Sequence, residues 1–290
     1  MRKVIDSNQL QSRALRIYLS ASPKNFAVLT DYVAMEAYKG DTLVSIYKSM
    51  EILGDFPSQV IVLKNTRVAC GLSGRGSGLQ KRLIDEAQTS EFPLYVQHLQ
   101  AAKRGNLSLQ RQLLDHGKEA TAHLERLLAD AQTAGVAMEE IAAMYSKEER
   151  SVIRTGQPYP AAMVDRIVRN IIQISGIVFG AHPSVKNRPS YEELPNTYIF
   201  RAALCTYLLA LEWGARGGAR DASPTKLRND FVDMYFAAYA TYFDGLMSAD
   251  AKVSRIHQEA RIWLSALFGI KNQRFQARKI KGSRLELHSE

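Results

Sequence analysis

Residues 26–40, FAVLTDYVAMEAYKG, set the class of the fold. Phe26-Ala27-Val28-Leu29 has the length and composition of a buried strand. Thr30 and Asp31 follow, and either can cap a helix by accepting from the free amides of its first turn. That helix carries Val33, Glu36 and Ala37 and stops near Gly40, a residue that tolerates the left-handed backbone of a helix end. A strand that turns directly into a helix is the repeating unit of an α/β sheet.

The same pattern extends to both sides. Toward the N-terminus, Lys3-Val4-Ile5 reads as a short strand, and Asp6-Ser7-Asn8 as the turn after it, rich in capping side chains. Gln9 to Leu19 reads as a helix and Ser22-Pro23-Lys24-Asn25 as a turn. Toward the C-terminus, Asp41 to Leu53 reads as an amphipathic helix ended by Gly54 and Pro57, and Gln59 to Leu63 as a third strand.

Beyond residue 78 the character changes. Gln80 to Ala131 places Leu109, Leu113, Leu124, Leu127 and Leu128 on apolar stripes at helical spacing, and Met138–Tyr145 and Ala161–Phe179 continue in the same way. Gly180 to Pro195 reads as a loop. Ile199 to Arg216 is apolar on most sides and therefore a buried helix. Leu227 to Phe243 is a further helix, Gly245 to Ser248 a short strand, and Val253 to Phe268 a closing helix. The expected organisation is an α/β unit begun by residues 1–78, a helical insertion over 79–195, completion of the unit by 196–270, and a basic tail over 271–290.

Composition narrows the function classes. Hydrophobic residues make up 46% of the 290 and charged residues 23%, which excludes a chain-wide disordered polymer. Cys70 and Cys205 are too few for a disulfide framework and read as buried thiols in a reducing cytosol. MRKVIDSNQL lacks the apolar core of a signal peptide, and the longest apolar run, Ala202–Leu211, is too short to span a bilayer. The expectation is a soluble cytoplasmic protein without a membrane partner. Lys and Arg number 38 against 29 Asp and Glu, a net charge of +9, and such an excess favours a polyanion, nucleic acid first.

Against that basic background, several acids fall at strand ends. Asp6 follows the first strand and Asp250 the last. Glu36 lies on the helix after the second strand, and Asp233 opens the segment DMYFAAYATYF. In an open α/β sheet such positions face one crevice at the strand C-termini. Gathered carboxylates repel unless a cation neutralises them, and Mg²⁺ or Mn²⁺ prefers these oxygen ligands. For each acid the plain alternative is a helix cap or a solvated charge. Asp230 stands one helical turn before Asp233 and is either a second ligand or a charge placed to suit the helix dipole.

Four segments, KVIDSNQL (Lys3–Leu10), FAVLTDYVAMEAYKG (Phe26–Gly40), NDFVDMYFAAYA (Asn229–Ala240) and GLMSADAK (Gly245–Lys252), resemble in order and spacing the PIN-like nucleases. The resemblance covers about 1–66 and 196–268. It implies a mostly parallel sheet flanked by helices, interrupted here by the large all-helical insertion. It also implies metal-dependent phosphodiester hydrolysis, RNA ahead of DNA, with Asp6, Glu36, Asp233 and Asp250 as catalytic acids. Asp6, Glu36, Asp230, Asp233 and Asp250 would be the ligands of Mg²⁺ or Mn²⁺, with Asn8 and Ser248 supporting them. Many relatives are toxin or host-defence ribonucleases, so an antitoxin or other protein partner, or a homo-oligomer, would be in keeping.

The remaining motifs are weaker. Gly71-Leu-Ser-Gly-Arg-Gly-Ser-Gly78 lacks the Gly-Lys-Ser/Thr ending of a phosphate loop and reads as a hinge, although Arg75 could touch a phosphate. Lys271, Arg274, Arg278, Lys279, Lys281 and Arg284 form a basic tail suited to phosphate contacts, or to solvation alone. The six histidines show no zinc-like pairing and are expected at the surface. Tyr235, Tyr239, Tyr242, Phe236 and Phe243 are expected in packing rather than in base stacking. The rival readings are a DNA nuclease of a defence system and a non-catalytic helical module that binds nucleic acid or protein, in which the acids are scattered caps.

Overall fold

The structure, a computed structural model, describes residues 1–74, 76, 78–185, 187–217 and 223–269. Arg75 and the basic tail from Lys271 to Arg284 therefore lie outside the described residues. Four strands form one sheet: β1 (Arg2–Ile5), β2 (Phe26–Leu29), β3 (Val60–Val62) and β4 (Gly245–Met247), in the order β3-β2-β1-β4. All three pairings are parallel, with Val4 opposite Val28, Val28 opposite Ile61, and Ile5 opposite Met247. Parallel strands need covered faces, and Val4, Ile5, Ala27 and Val28 are fully buried.

The helices follow from local chemistry. A single 3-10 turn (Ser7–Gln9) leads from β1 to α1 (Arg13–Ser20). The expected continuous helix from Gln9 is thus divided, because Asp6 caps the turn and Ser12 caps α1 anew, its hydroxyl accepting from Leu15 N at 3.0 Å. Thr30 caps α2 (Asp31–Ala37), with Asp31 as its first residue. The helix expected over Asp41–Leu53 is also two, α3 (Thr42–Ser49) and α4 (Glu51–Asp55), parted where Met50 leaves helical geometry. After β3 comes α5 (Thr66–Cys70), capped by Asn65 and not anticipated.

The helical block holds α6 (Gln80–Leu83), α7 (Glu86–Lys103), α8 (Leu107–Ala143), α9 (Lys147–Thr155) and α10 (Ala161–Ala181). The Leu-rich stretch is divided by Gly105 at φ +103° and by fresh caps at Asp85 and Asn106. Met138–Tyr145 is not separate but mostly the end of α8. That helix has 37 residues, roughly 55 Å at 1.5 Å per residue. It passes α2 and α3, then α12 (Pro224–Ala240) and α11 (Tyr198–Ala215). A Cβ on Gly117 would meet the Thr42 side chain at 2.5 Å, and one on Gly214 would meet Ala142 Cβ at 2.5 Å. At both positions, packing demands glycine despite its low helix propensity. Helix α9 was unforeseen because it buries no side chain fully. A reciprocal Ser146–Glu149 capping box marks its start.

α11 is the centre of the molecule, as its apolar circumference predicts. α8, α9, α10, α12 and α13 (Ala251–Phe268) all pack against it. The core around it is continuous with the β1–β2–β3 face through Val4, Val28 and Ile61. Within it Tyr145 and Tyr207 share a hydroxyl contact of 2.7 Å, and Asn170 donates to the Tyr207 hydroxyl at 2.7 Å. Cys205, Phe236, Tyr239 and Phe243 are buried as expected. Cys70 is only half-buried. His257, expected at the surface, is 6% exposed, because α13 turns that position inward among Val253, Ile256 and Ala260. Among the described residues, no helix is long and apolar enough to cross a membrane.

Candidate active site

Sheet order locates the crevice. The chain builds β1, β2 and β3 in one direction, then returns to place β4 on the other side of β1. Helices leaving neighbouring strands diverge at such a switch point and leave a cleft beyond the strand C-termini. Asp6 and Asp250 flank it. Asp6 continues β1, its amide donating to Met247 O at 3.0 Å. Asp250 follows β4 and caps α13, its carboxylate accepting from Lys252 N at 2.6 Å and Val253 N at 3.3 Å.

The Asp6 side chain is 2% exposed and closely held. Its Oδ2 accepts from Ser248 Oγ at 2.5 Å and Asn8 Nδ2 at 2.7 Å, and its Oδ1 from Asn8 N at 3.4 Å. Asn8 Oδ1 accepts in turn from Ala249 N at 3.0 Å, and Ser248 Oγ from Asp250 N at 3.0 Å. The two loops that close the strand ends are thus tied through Asn8 and Ser248. Burial raises the Asp6 carboxyl above its ordinary range. The hydrogen bonds from Ser248 and Asn8 oppose this, and the charge of Asp250 adds to it.

Glu36 approaches from α2 and is half-buried. Burial raises its carboxyl too, the Ser7 hydroxyl and the charges of Lys39 and Arg228 oppose the rise, and Asp6 adds to it. Asp233 approaches from α12. It does not head that helix, as the sequence suggests, but lies within it, because Ser223 and Pro224 start the helix earlier. Burial first, then the charge of Asp6, pushes the Asp233 carboxyl up to about 8, with Asp230 and Asp250 adding and Lys252 opposing. Asp230 is 5% exposed and forms an ion pair with Lys252.

Asp233 thus lies within electrostatic reach of Asp6, Asp230 and Asp250, Asp6 within reach of Asp250, and Glu36 within reach of Asp6, with Asn8 and Ser248 bonded to Asp6. Among the described residues, however, no three His, Cys, Asp or Glu side chains form a group that could hold a metal ion. Asp230 Oδ2 is buried without a hydrogen-bond partner.

Sequence reasoning missed Ser7, Arg228 and Lys252. For Lys252 a signal existed: a cation in the first turn of a helix opposes the dipole and so asks for an anionic partner. It also left Asp31 as one of two candidate caps. Asp31 instead accepts from Thr66 N at 2.7 Å and Thr66 Oγ1 at 2.9 Å, which fixes the link from β3 to α5; burial raises its carboxyl above the ordinary range, and these hydrogen bonds oppose the rise. No family model, curated protein or solved structure matches this chain, so the cleft is described by its own geometry alone.

Proposed function

We propose that this protein is a metal-dependent nuclease of the PIN-like kind, hydrolysing phosphodiester bonds in nucleic acid, RNA ahead of DNA. The observation that carries this reading is the meeting of Asp6 and Asp250 at the ends of the paired parallel strands β1 and β4, tied together through Ser248. It places acids at a sheet switch point, where open α/β sheets bind ligands, and burial with the neighbouring acids raises the Asp233 carboxyl beside them. The net charge of +9 supports a polyanionic substrate.

A bound Mg²⁺ or Mn²⁺ would lower the pKa of a coordinated water and offset charge developing on the phosphoryl oxygens. Asp6, Asp233 and Asp250 would hold it, with Glu36 near Asp6. The chain's own contribution is orientation. Ser248 and Asn8 fix the Asp6 carboxylate before any ligand arrives, with Ser7 Oγ adding a longer contact to Asp6 Oδ1 at 3.5 Å. A bound cation would favour the ionised form of Asp233, whose carboxyl is otherwise raised by burial and by the neighbouring acids.

One observation favours the non-catalytic alternative: Asp6 and Asp250 each cap a helical turn, and capping alone justifies an Asp. It does not account for Asp233, which caps nothing. Labelled RNA and DNA incubated with Mg²⁺, Mn²⁺ or chelator test the proposal, which expects cleavage with either metal and none with chelator.

A further inference from the structure

Two stretches of the chain that carry no acid meet at the β3 end of the sheet. From Phe56 to Ile84 there is no Asp or Glu, and from Arg166 to Tyr191 there is none either. The first stretch supplies Lys64, Arg67, Lys81 and Arg82, and the second His182 and Arg188. Local contacts hold them together. Lys64 N donates to Leu83 O at 2.9 Å, beside the bridge between Leu63 and Ile84, which sets Lys64 against the end of α6. Arg82 Nη1 donates to Ser73 O at 2.8 Å. Gly71 abuts the loop after α10 so closely that a Cβ there would lie 2.8 Å from Ser184 O, and Ser184 N donates to His182 Nδ1 at 3.2 Å. Burial, and then the charge of Arg67, holds the His182 imidazole below its ordinary range, so the two stretches also meet electrostatically. Among the described residues, none of Lys64, Arg67, Lys81, Arg82 and Arg188 forms an ion pair. Asp85, which ends the first stretch, accepts instead from Gln88 N and Nε2 at the start of α7.

We infer that this patch of Lys64, Arg67, Lys81, Arg82 and Arg188 is the surface on which the phosphates of a nucleic-acid strand land, beside the cleft and not inside it. The inference rests on the nuclease reading above for where the strand leads, and goes beyond it in naming what holds the strand. The acids of the cleft repel a polyanion, so affinity for phosphate has to come from outside them. The patch stands at the right edge. All strands are parallel, so α5 leaves β3 at the same edge at which Asp6 leaves β1, and Thr66 at the head of α5 is bonded to Asp31 just beyond β2. Only β2 separates β3 from β1, which puts the two strand ends roughly 10 Å apart, about three stacked nucleotides at ~3.4 Å each. Unpaired cations on an acid-free surface neutralise phosphates and release counterions. Contacts of this kind position a strand without reading its bases, so binding is indifferent to sequence.

The test is binding of short labelled single-stranded RNA to the full chain, in chelator so that no cleavage intervenes, over a range of salt. One variant combines Lys64→Gln, Arg67→Gln, Lys81→Gln and Arg188→Gln, and leaves Arg82 because it holds Ser73. A control combines Lys103→Gln, Arg104→Gln, Arg111→Gln and Lys147→Gln, exposed residues of the helical block, and loses the same charge. The patch variant should bind roughly tenfold more weakly or worse at low salt, and its log–log salt slope should flatten by about 2–3 units, at ~0.7 for each phosphate contact on a single strand. The control should keep the wild-type slope. Arg67→Gln with Arg188→Gln, both exposed, should give about half the flattening, and this pair keeps the test decisive should the fourfold variant fail to fold. An equal loss in patch and control variants, no loss in the patch variants, or tighter wild-type binding to vesicles of anionic lipid than to RNA would overturn the inference and leave the nuclease reading to its own cleavage test. RNA that does not bind wild type at all would overturn both.

Discussion

Ser248 donates its hydroxyl to Asp6 Oδ2 at 2.5 Å, across 242 positions of sequence. The Ser248 hydroxyl oxygen in turn accepts from Asp250 N at 3.0 Å, so one side chain joins the end of β1 to the start of α13. Through it, a carboxylate delivered by the first strand is oriented by the last.

Ser248→Ala removes both hydrogen bonds while leaving the backbone free to stay in place. Stability should fall by about 1–2 kcal/mol, the usual consequence of leaving a buried partner unsatisfied. Cleavage should fall roughly 10–100-fold, as for other residues that orient a metal ligand. Chemical denaturation and initial rates on labelled RNA give the two quantities. A measurably destabilised variant with wild-type rates would show that Asp6 needs no such orientation.

Asp233 fixes the sign of a pH dependence. Its folded carboxyl titrates near 8, above the 3.8 of an ordinary aspartate. The folded, cation-free chain therefore keeps a proton that the unfolded chain releases. That stabilisation is complete below about 4 and disappears as pH rises through about 8. The melting temperature of the cation-free protein should decline between pH 5 and pH 8. Asp233→Asn should flatten that decline, and saturating Mg²⁺ should reverse it at the upper end. Parallel melting curves for wild type and Asp233→Asn across this range would remove Asp233 from the account.

Gly214→Ala sets two effects against each other. Alanine gains about 1 kcal/mol in helix propensity over glycine. Its Cβ, however, meets Ala142 Cβ at 2.5 Å and Ala142 Cα at 3.2 Å, where α11 and α8 must move apart as rigid bodies. Overpacking of this kind costs about 1–3 kcal/mol, so net destabilisation is expected in denaturant unfolding. A stabilised Gly214→Ala protein would mean that α8 does not lie against α11 as described.

The parallel sheet was legible because its signals are local. FAVL is the whole of β2, and GLM all but one residue of its expected strand, each bounded by capping or turn residues. Asp6 and Asp250 were legible for the same reason, since a carboxylate at a strand end needs only the strand to be found. Helix division was not legible where it depends on a single backbone departure, as at Met50, or on a second cap inside an apolar run, as at Ser12 and Asn106. The start of α12 was read three residues late, at Leu227, because apolar density marks the helix from there, whereas Ser223-Pro224 carries the cap. Lys252 was overlooked because its partner, Asp230, is 22 residues away on another helix, and pairing across helices leaves no periodicity. His257 was assigned to the surface on residue type alone, although its spacing from Val253 and Ala260 places it on the buried face of α13.

The most direct test of the central claim is hydrolysis of labelled RNA by purified wild type, Asp6→Asn and Asp250→Asn, each with Mg²⁺, with Mn²⁺ and with chelator. Asn keeps the size of Asp and removes its charge, so both variants should fold and retain nucleic-acid affinity, which comes chiefly from Lys and Arg. The account predicts metal-dependent cleavage by wild type, none with chelator, and its loss in Asp6→Asn. Cleavage that survives chelator, or full activity in both Asp6→Asn and Asp250→Asn, would contradict it.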